Sequence, residues 1–191
     1  MTKIRISLAM TWVVAIVACS TPPPAAPPTP TPAEMVARGE YLVNTSGCHD
    51  CHTPFKMGPN GPEPDMTRAL SGHPADMPLS KPPALPEPWV FMGAGTNTAW
   101  AGPWGISFTA NLTSDQNSGL GVWTEDLFLR AIREGKHMGT SRPILPPMPW
   151  PMYRNMTDDD LKSIFAYLKT VPPIANNVPE PLTPEDVARM K

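Results

Sequence analysis

Apolar residues along this 191-residue chain collect in a few short runs at helical spacing, and long stretches rich in proline and glycine separate them. Met35, Val36, Gly39, Leu42 and Val43 share one side of a helix predicted from about Ala33 to Asn44. A second helix is predicted from Thr124 to Glu134. Thr124 supplies its N-cap, Glu125 and Asp126 complement the helix dipole in the first turn, and Gly135 stops it. Leu127, Phe128, Ala131 and Ile132 would form its buried face. The third runs from Thr157 to Lys169 and has the clearest pattern, with Leu161, Ile164, Phe165 and Leu168 at i, i+3, i+4 and i+7. Thr157 and Asp160 resemble a capping box in which Asp replaces the preferred Glu, and Val171-Pro172-Pro173 ends the helix. A short tail helix is predicted to begin at Thr183. No segment reads as a strong strand, so the fold class expected is all-α.

From Thr53 through Gly105 the chain has eleven prolines and seven glycines, with Trp89, Phe91, Trp100 and Trp104 among them. An excursion this long without periodicity is unusual inside one domain and reads as a loop insertion. It is either a wrap that excludes water from a functional centre or a passive surface excursion, and the residues leave both open. His73, in Ser71-Gly72-His73-Pro74, is read as a surface loop histidine, with a ligand role as the alternative.

The N-terminal residues have a different character. Lys3 and Arg5 precede a mostly apolar stretch, Ile6 to Val17, that is short for a bilayer span. It closes on Ala18-Cys19, and the run resembles a bacterial lipoprotein signal in which Cys19 becomes the lipid-bearing N-terminus. Ordinary secretory cleavage and an uncleaved membrane helix are the alternatives. Residues 20–32 are nearly all Pro, Ala, Thr and Ser, which favours an extended spacer. The expected organisation is a signal peptide over 1–18, a linker over 19–32, a folded domain over 33–175 and a tail over 176–191. The formal charge is −2, and it becomes −4 once Lys3 and Arg5 are gone. With no basic patch, nucleic acid is excluded as a partner.

Cys48-His49-Asp50-Cys51-His52 carries the chemistry. C-x-x-C-H is the attachment signature of a c-type haem: two thiols bond to the porphyrin edge, and the next histidine is placed as the iron ligand. A structural zinc site would need further Cys or His ligands. A thioredoxin-like redox pair would need a βαβ setting. Neither requirement is met, so the expected cofactor is one covalent haem c, held by Cys48 and Cys51 and ligated by His52.

A helix leading into C-x-x-C-H, a long middle, a methionine among prolines and a final amphipathic helix together resemble a class I cytochrome c over most of residues 33–175. That resemblance implies a cytochrome c fold of three main helices around the haem. It also implies a close crossing of the first and last helices, with Gly39 meeting the Phe165–Leu168 face, and a methionine as sixth iron ligand. Met148, between Pro147 and Pro149, is the expected ligand; Met152 is the next candidate, followed by Met57, Met66, Met77 and Met92. Three further runs, Asn111-Leu112-Thr113-Ser114-Asp115, Gly119-Leu120-Gly121-Val122-Trp123-Thr124 and Pro146-Pro147-Met148-Pro149-Trp150, carry a narrower likeness. They are similar to the haem domains of membrane cytochrome c subunits of periplasmic alcohol and aldehyde dehydrogenases, which usually carry three haems.

The function implied is one-electron transfer outside the cytoplasm. The chain would be a carrier or haem subunit of a respiratory or dehydrogenase complex, anchored to the membrane through Cys19. Its partners would be redox proteins, with no small-molecule substrate. The alternative is a haem enzyme or gas-binding sensor whose distal position is open or labile.

Overall fold

The structure is a computed structural model that describes residues 29–191. The expected signal peptide over 1–18, Cys19 and most of the Pro-rich linker lie outside the described residues. Helix α1 (Pro32–Thr45) starts with a full capping box: the Thr31 hydroxyl accepts from the Glu34 N–H, and the Glu34 carboxylate accepts from the Thr31 N–H. Pro32 sits in the first turn, where its missing N–H costs nothing. Helix α2 (Cys48–His52) follows after the left-handed Gly47. Helix α3 (Glu125–Glu134) is capped by Thr124 and closed by Gly135 at φ 64°. After it come the short α4 (Trp150–Tyr153), α5 (Asp158–Leu168), capped by Thr157, and α6 (Pro184–Arg189), capped by Thr183.

The core lies where α1 and α5 cross and α3 packs on α5. It contains Leu42, Val43, Leu70, Leu120, Phe128, Ile132, Leu161, Ile164, Phe165, Leu168 and Val171. The rings of Phe128 and Phe165 meet with centroids 5.3 Å apart. Gly39 permits the crossing. A Cβ there would lie 1.9 Å from the Ser163 carbonyl oxygen and 2.8 Å from Tyr167 Cβ. The contact therefore falls on Ser163 and Tyr167, not on the Phe165–Leu168 face.

The expectation of an all-α cytochrome fold with three main helices is overturned. Among the described residues helix makes up only 34%, in six α-helices and two short 3-10 turns beside two antiparallel sheets. Strands β1 (Phe55–Gly58) and β2 (Gly61–Pro64) form one hairpin. Strands β3 (Met92–Gly93), β4 (Ala99–Gly102) and β5 (Gly105–Phe108) form a three-stranded sheet in that order. All but β5's last three residues fall within the region read as an insertion. The strands were not legible because none exceeds four residues, glycine or proline interrupts most of them, and none alternates cleanly between apolar and polar. Closure of the hairpins and aromatic packing hold them instead: Phe91 lies 6.3 Å from Trp100 and 6.1 Å from Trp104 between ring centroids.

Residues 176–191 pack onto this sheet. Leu182 exchanges backbone hydrogen bonds with Ile106, both 2.9 Å. Gly105, at φ 96°, leaves room for the crossing, since a Cβ there would meet the Leu182 carbonyl oxygen at 2.0 Å.

The Gly39 contact can be tested by thermal unfolding. Gly39→Ala is expected to cost about 2 kcal/mol by overpacking, whereas Glu40→Ala, at the exposed neighbouring position, stays within about 0.5 kcal/mol of the parent. Equal stability of the two variants would contradict the close crossing.

Candidate haem-attachment site

Helix α2 is a single turn, so Cys48 and Cys51 (i, i+3) and Cys48 and His52 (i, i+4) are neighbours on its surface. Both thiols are free and half-buried. Burial is the main reason that the Cys48 thiol is pushed up to about 11 and that the Cys51 thiol is raised as well. Among the described residues no group of three or more His, Cys, Asp or Glu side chains could hold a metal ion.

His52 is buried, and its Nδ1 lies 2.8 Å from the Ala110 carbonyl oxygen. A carbonyl oxygen can only accept, so Nδ1 carries the ring hydrogen and Nε2 keeps its lone pair. Burial also pushes His52 below the ordinary histidine value, which favours this neutral form. A neutral imidazole with a bare Nε2 is the species that ligates iron.

The surroundings fix α2 from several directions. The Gly72 N–H donates to the His52 carbonyl at 2.8 Å, and the Asn97 side-chain amide donates to the Asp50 carbonyl at 2.6 Å. The Thr53 hydroxyl accepts from the Leu70 N–H at 2.9 Å. The Tyr153 hydroxyl donates to the Ser46 carbonyl at 2.5 Å, which ties α4 to the entrance of α2. Tyr153 is itself pushed up to about 12, first by burial and then by the nearby Cys48, Cys51 and Asp50.

Met148 sits on the segment between α3 and α4. The Ser107 hydroxyl holds that segment through the Pro146 carbonyl at 2.6 Å, and Gly135 accepts from the Ile144 N–H at 2.8 Å. The Trp150 ring covers Gly135, where a Cβ would come within 2.3 Å of it. Met148 and Cys48 are both partly buried against the same core cluster, together with Leu112, Trp123, Leu129, Tyr153 and Met156. These apolar faces are left incompletely covered by protein. The donor set and its setting fit a covalently attached haem. Met152, by contrast, is 73% exposed, and Met57, Met66 and Met77 are exposed too.

His73 is a correction to the surface reading. It is buried, its Nδ1 lies 2.9 Å from the Thr98 hydroxyl, and its ring packs on Phe108 at 4.9 Å. The Ala110 acceptor had no sequence signal because it is a backbone atom; the next residue opens the Asn111-to-Asp115 run that carries the narrower likeness.

No family model matches the chain. Individual proteins do. The chain is 28% identical over 164 residues to the fructose dehydrogenase cytochrome subunit of Gluconobacter japonicus, covering 83% of this chain and 26% of that protein. It is 27% identical over 155 residues to the gluconate 2-dehydrogenase cytochrome c subunit of Pantoea cypripedii, covering 78% and 27%. The third is the cytochrome c subunit of the quinone-dependent alcohol dehydrogenase of Gluconobacter oxydans, at 26% over 149 residues, covering 76% and 24%. The chain's homologues are thus cytochrome c subunits of dehydrogenases, at modest identity over most of its length. The chain spans about a quarter of the length of these relatives.

Thiol reactivity tests the site before any haem is attached. A thiol near 11 is about one part in a thousand thiolate at pH 8. Iodoacetamide on the haem-free chain at pH 8 is expected to label Cys51 before Cys48, with Cys48 labelling accelerating as the pH approaches 11. Rapid labelling of both at pH 7, followed by mass spectrometry, would contradict the buried placement.

Proposed function

We propose that this chain is a one-electron-transfer protein holding a single covalent haem c, with Cys48 and Cys51 as the attachment residues and His52 and Met148 as the iron ligands. It serves as a carrier or as the haem subunit of a dehydrogenase or respiratory complex outside the cytoplasm. The observation that carries this reading is the buried His52, directly after two free half-buried thiols, with its Nδ1–H committed to Ala110. The kinship with cytochrome c subunits of dehydrogenases supports the electron-transfer role and implies protein partners.

A bound haem supplies a one-electron iron couple. The chain's own residues do the rest. Cys48 and Cys51 fix the group to α2 at two points. The Nδ1–H bond to Ala110 makes the His52 ring a stronger electron donor and stops it rotating. Met148 is presented by a segment whose proline neighbours fix φ on both sides, so little backbone freedom is lost when its thioether ligates. A thioether favours the reduced state and raises the potential. Leu112, Trp123, Tyr153 and Met156, partly buried against the same core cluster as Cys48 and Met148, would supply apolar area to a bound haem.

Anchoring through a lipid on Cys19 would set this domain at the membrane, and the Pro-rich residues 20–32 would span up to about 40 Å at about 3.1 Å per residue. The redox partners are proteins that reach the domain there.

Denaturing gels stained for haem peroxidase activity test the reading. The exported protein keeps the stain, and Cys48→Ala with Cys51→Ala loses it. The stain fractionates with membranes, and Cys19→Ala shifts it to the soluble fraction. Met148→Ala removes the weak far-red thioether-to-iron band, lowers the potential and lets carbon monoxide bind, while Met152→Ala changes none of these. Retained stain in the double cysteine variant would end the haem reading. Carbon monoxide binding by the parent at neutral pH would replace the carrier with an open-site haem protein.

A further inference from the structure

We propose that Asn176, working with Asn111, is a positioning residue that sets the electron donation of His52 and hence the reduction potential. This rests on His52 being the iron ligand, and it concerns residues that make no contact with the imidazole. The side chain of Asn176 is buried and fully used. Its Nδ2 donates to the carbonyls of Ser71 (2.7 Å) and His73 (2.8 Å), and its Oδ1 accepts from the Ala75 N–H (2.9 Å). That amide therefore clamps the 71–75 segment from one side.

The clamped segment is the one that touches His52 and its acceptor. Gly72 donates its N–H to the His52 carbonyl at 2.8 Å, and His73 donates its N–H to the Thr109 carbonyl at 3.0 Å. Gly72, at φ 75°, lies flat against the next peptide: a Cβ there would come within 2.4 Å of the Thr109 carbonyl oxygen and 2.7 Å of the Ala110 carbonyl oxygen. The Ala110 carbonyl, which takes the Nδ1–H, is thus pressed between Gly72 and the residue that follows it.

That following residue is Asn111. Its Oδ1 accepts from the N–H and hydroxyl of Thr113 at 3.0 and 2.7 Å, and its Nδ2 donates to the Ile174 carbonyl at 2.8 Å and the Ser118 hydroxyl at 3.2 Å. The same Ser118 hydroxyl accepts from the Asn176 N–H at 3.0 Å. Two buried amides thus fix both sides of one carbonyl, and residues 174–176 join them.

A displaced Ala110 carbonyl weakens the Nδ1–H bond, makes the imidazole a poorer donor and favours reduced iron. Asn176→Ala and Asn111→Ala are therefore expected to raise the potential. The Fe(II) to Fe(III) ratio at fixed potential changes about tenfold, equivalent to 59 mV for one electron. Amide hydrogen exchange at Gly72, whose N–H holds the His52 carbonyl, is expected to accelerate in Asn176→Ala. Asn176→Ser keeps a hydroxyl, shifts the potential less in the same direction, and supplies the test should the alanine variant not fold. Thr31→Ala is the control: it removes the N-cap of α1 at the end away from α2, lowers stability and leaves the potential where it was. Variants at 111 and 176 that lose thermal stability with an unmoved potential and unchanged Gly72 exchange would overturn the proposal, leaving these amides purely structural. A parent chain with no covalent haem would overturn the underlying assignment instead, and the haem stain tells the two failures apart.

Discussion

His52 has one ring nitrogen committed to a backbone carbonyl, and that commitment decides what the other nitrogen can do. With the hydrogen on Nδ1 at 2.8 Å from the Ala110 oxygen, Nε2 has only a lone pair to offer, to a hydrogen-bond donor, a proton or a metal. Burial makes protonation unfavourable. The site therefore depends on keeping one peptide, far from His52 in sequence, at the right place beside a five-residue helix. Much of the fold outside the helical core serves that requirement.

The helices and the irregular regions divide the work. The crossing of α1 and α5 over Gly39 brings residue 48 to the core, because α1 leads into α2 through only Ser46 and Gly47. A short helix cannot hold itself, having too few hydrogen bonds to offset the cost of nucleation. The region from Thr53 to Asn111 supplies the missing constraints through Leu70, Gly72, Asn97 and Ala110. It is an ordered brace for α2, built from hydrogen bonds that each use a backbone atom on one side at least and carry no periodic sequence signature.

The parts written in side-chain periodicity and capping were legible. Thr124, Gly135, Thr157 and Thr183 mark helix ends as their side chains and φ preferences require, and the buried positions of α1, α3 and α5 fall on the expected faces. The C-x-x-C-H motif was legible because attachment of a c-type haem fixes the order and spacing of two cysteines and a histidine. The sheets were not, since strands of two to four residues are held by closure and by packing of Phe91, Trp100 and Trp104, which propensity does not encode. His73 was misread for the same reason: its partners, Thr98 and Phe108, come from the unanticipated sheet region. The Asn111-to-Asp115 run was noticed as a likeness, but its physical role, tying the peptide at Ala110 to residues 174–176, needed the fold.

Nuclear magnetic resonance of the reduced, exported protein labelled with nitrogen-15 at histidine tests the central claim most directly. It reports separately on the two ring nitrogens of His52. The account predicts a slowly exchanging Nδ1–H shifted by a carbonyl hydrogen bond, with Nε2 bearing no hydrogen because it is bound to iron. A hydrogen on Nε2, or an Nδ1–H exchanging freely with water, would contradict it.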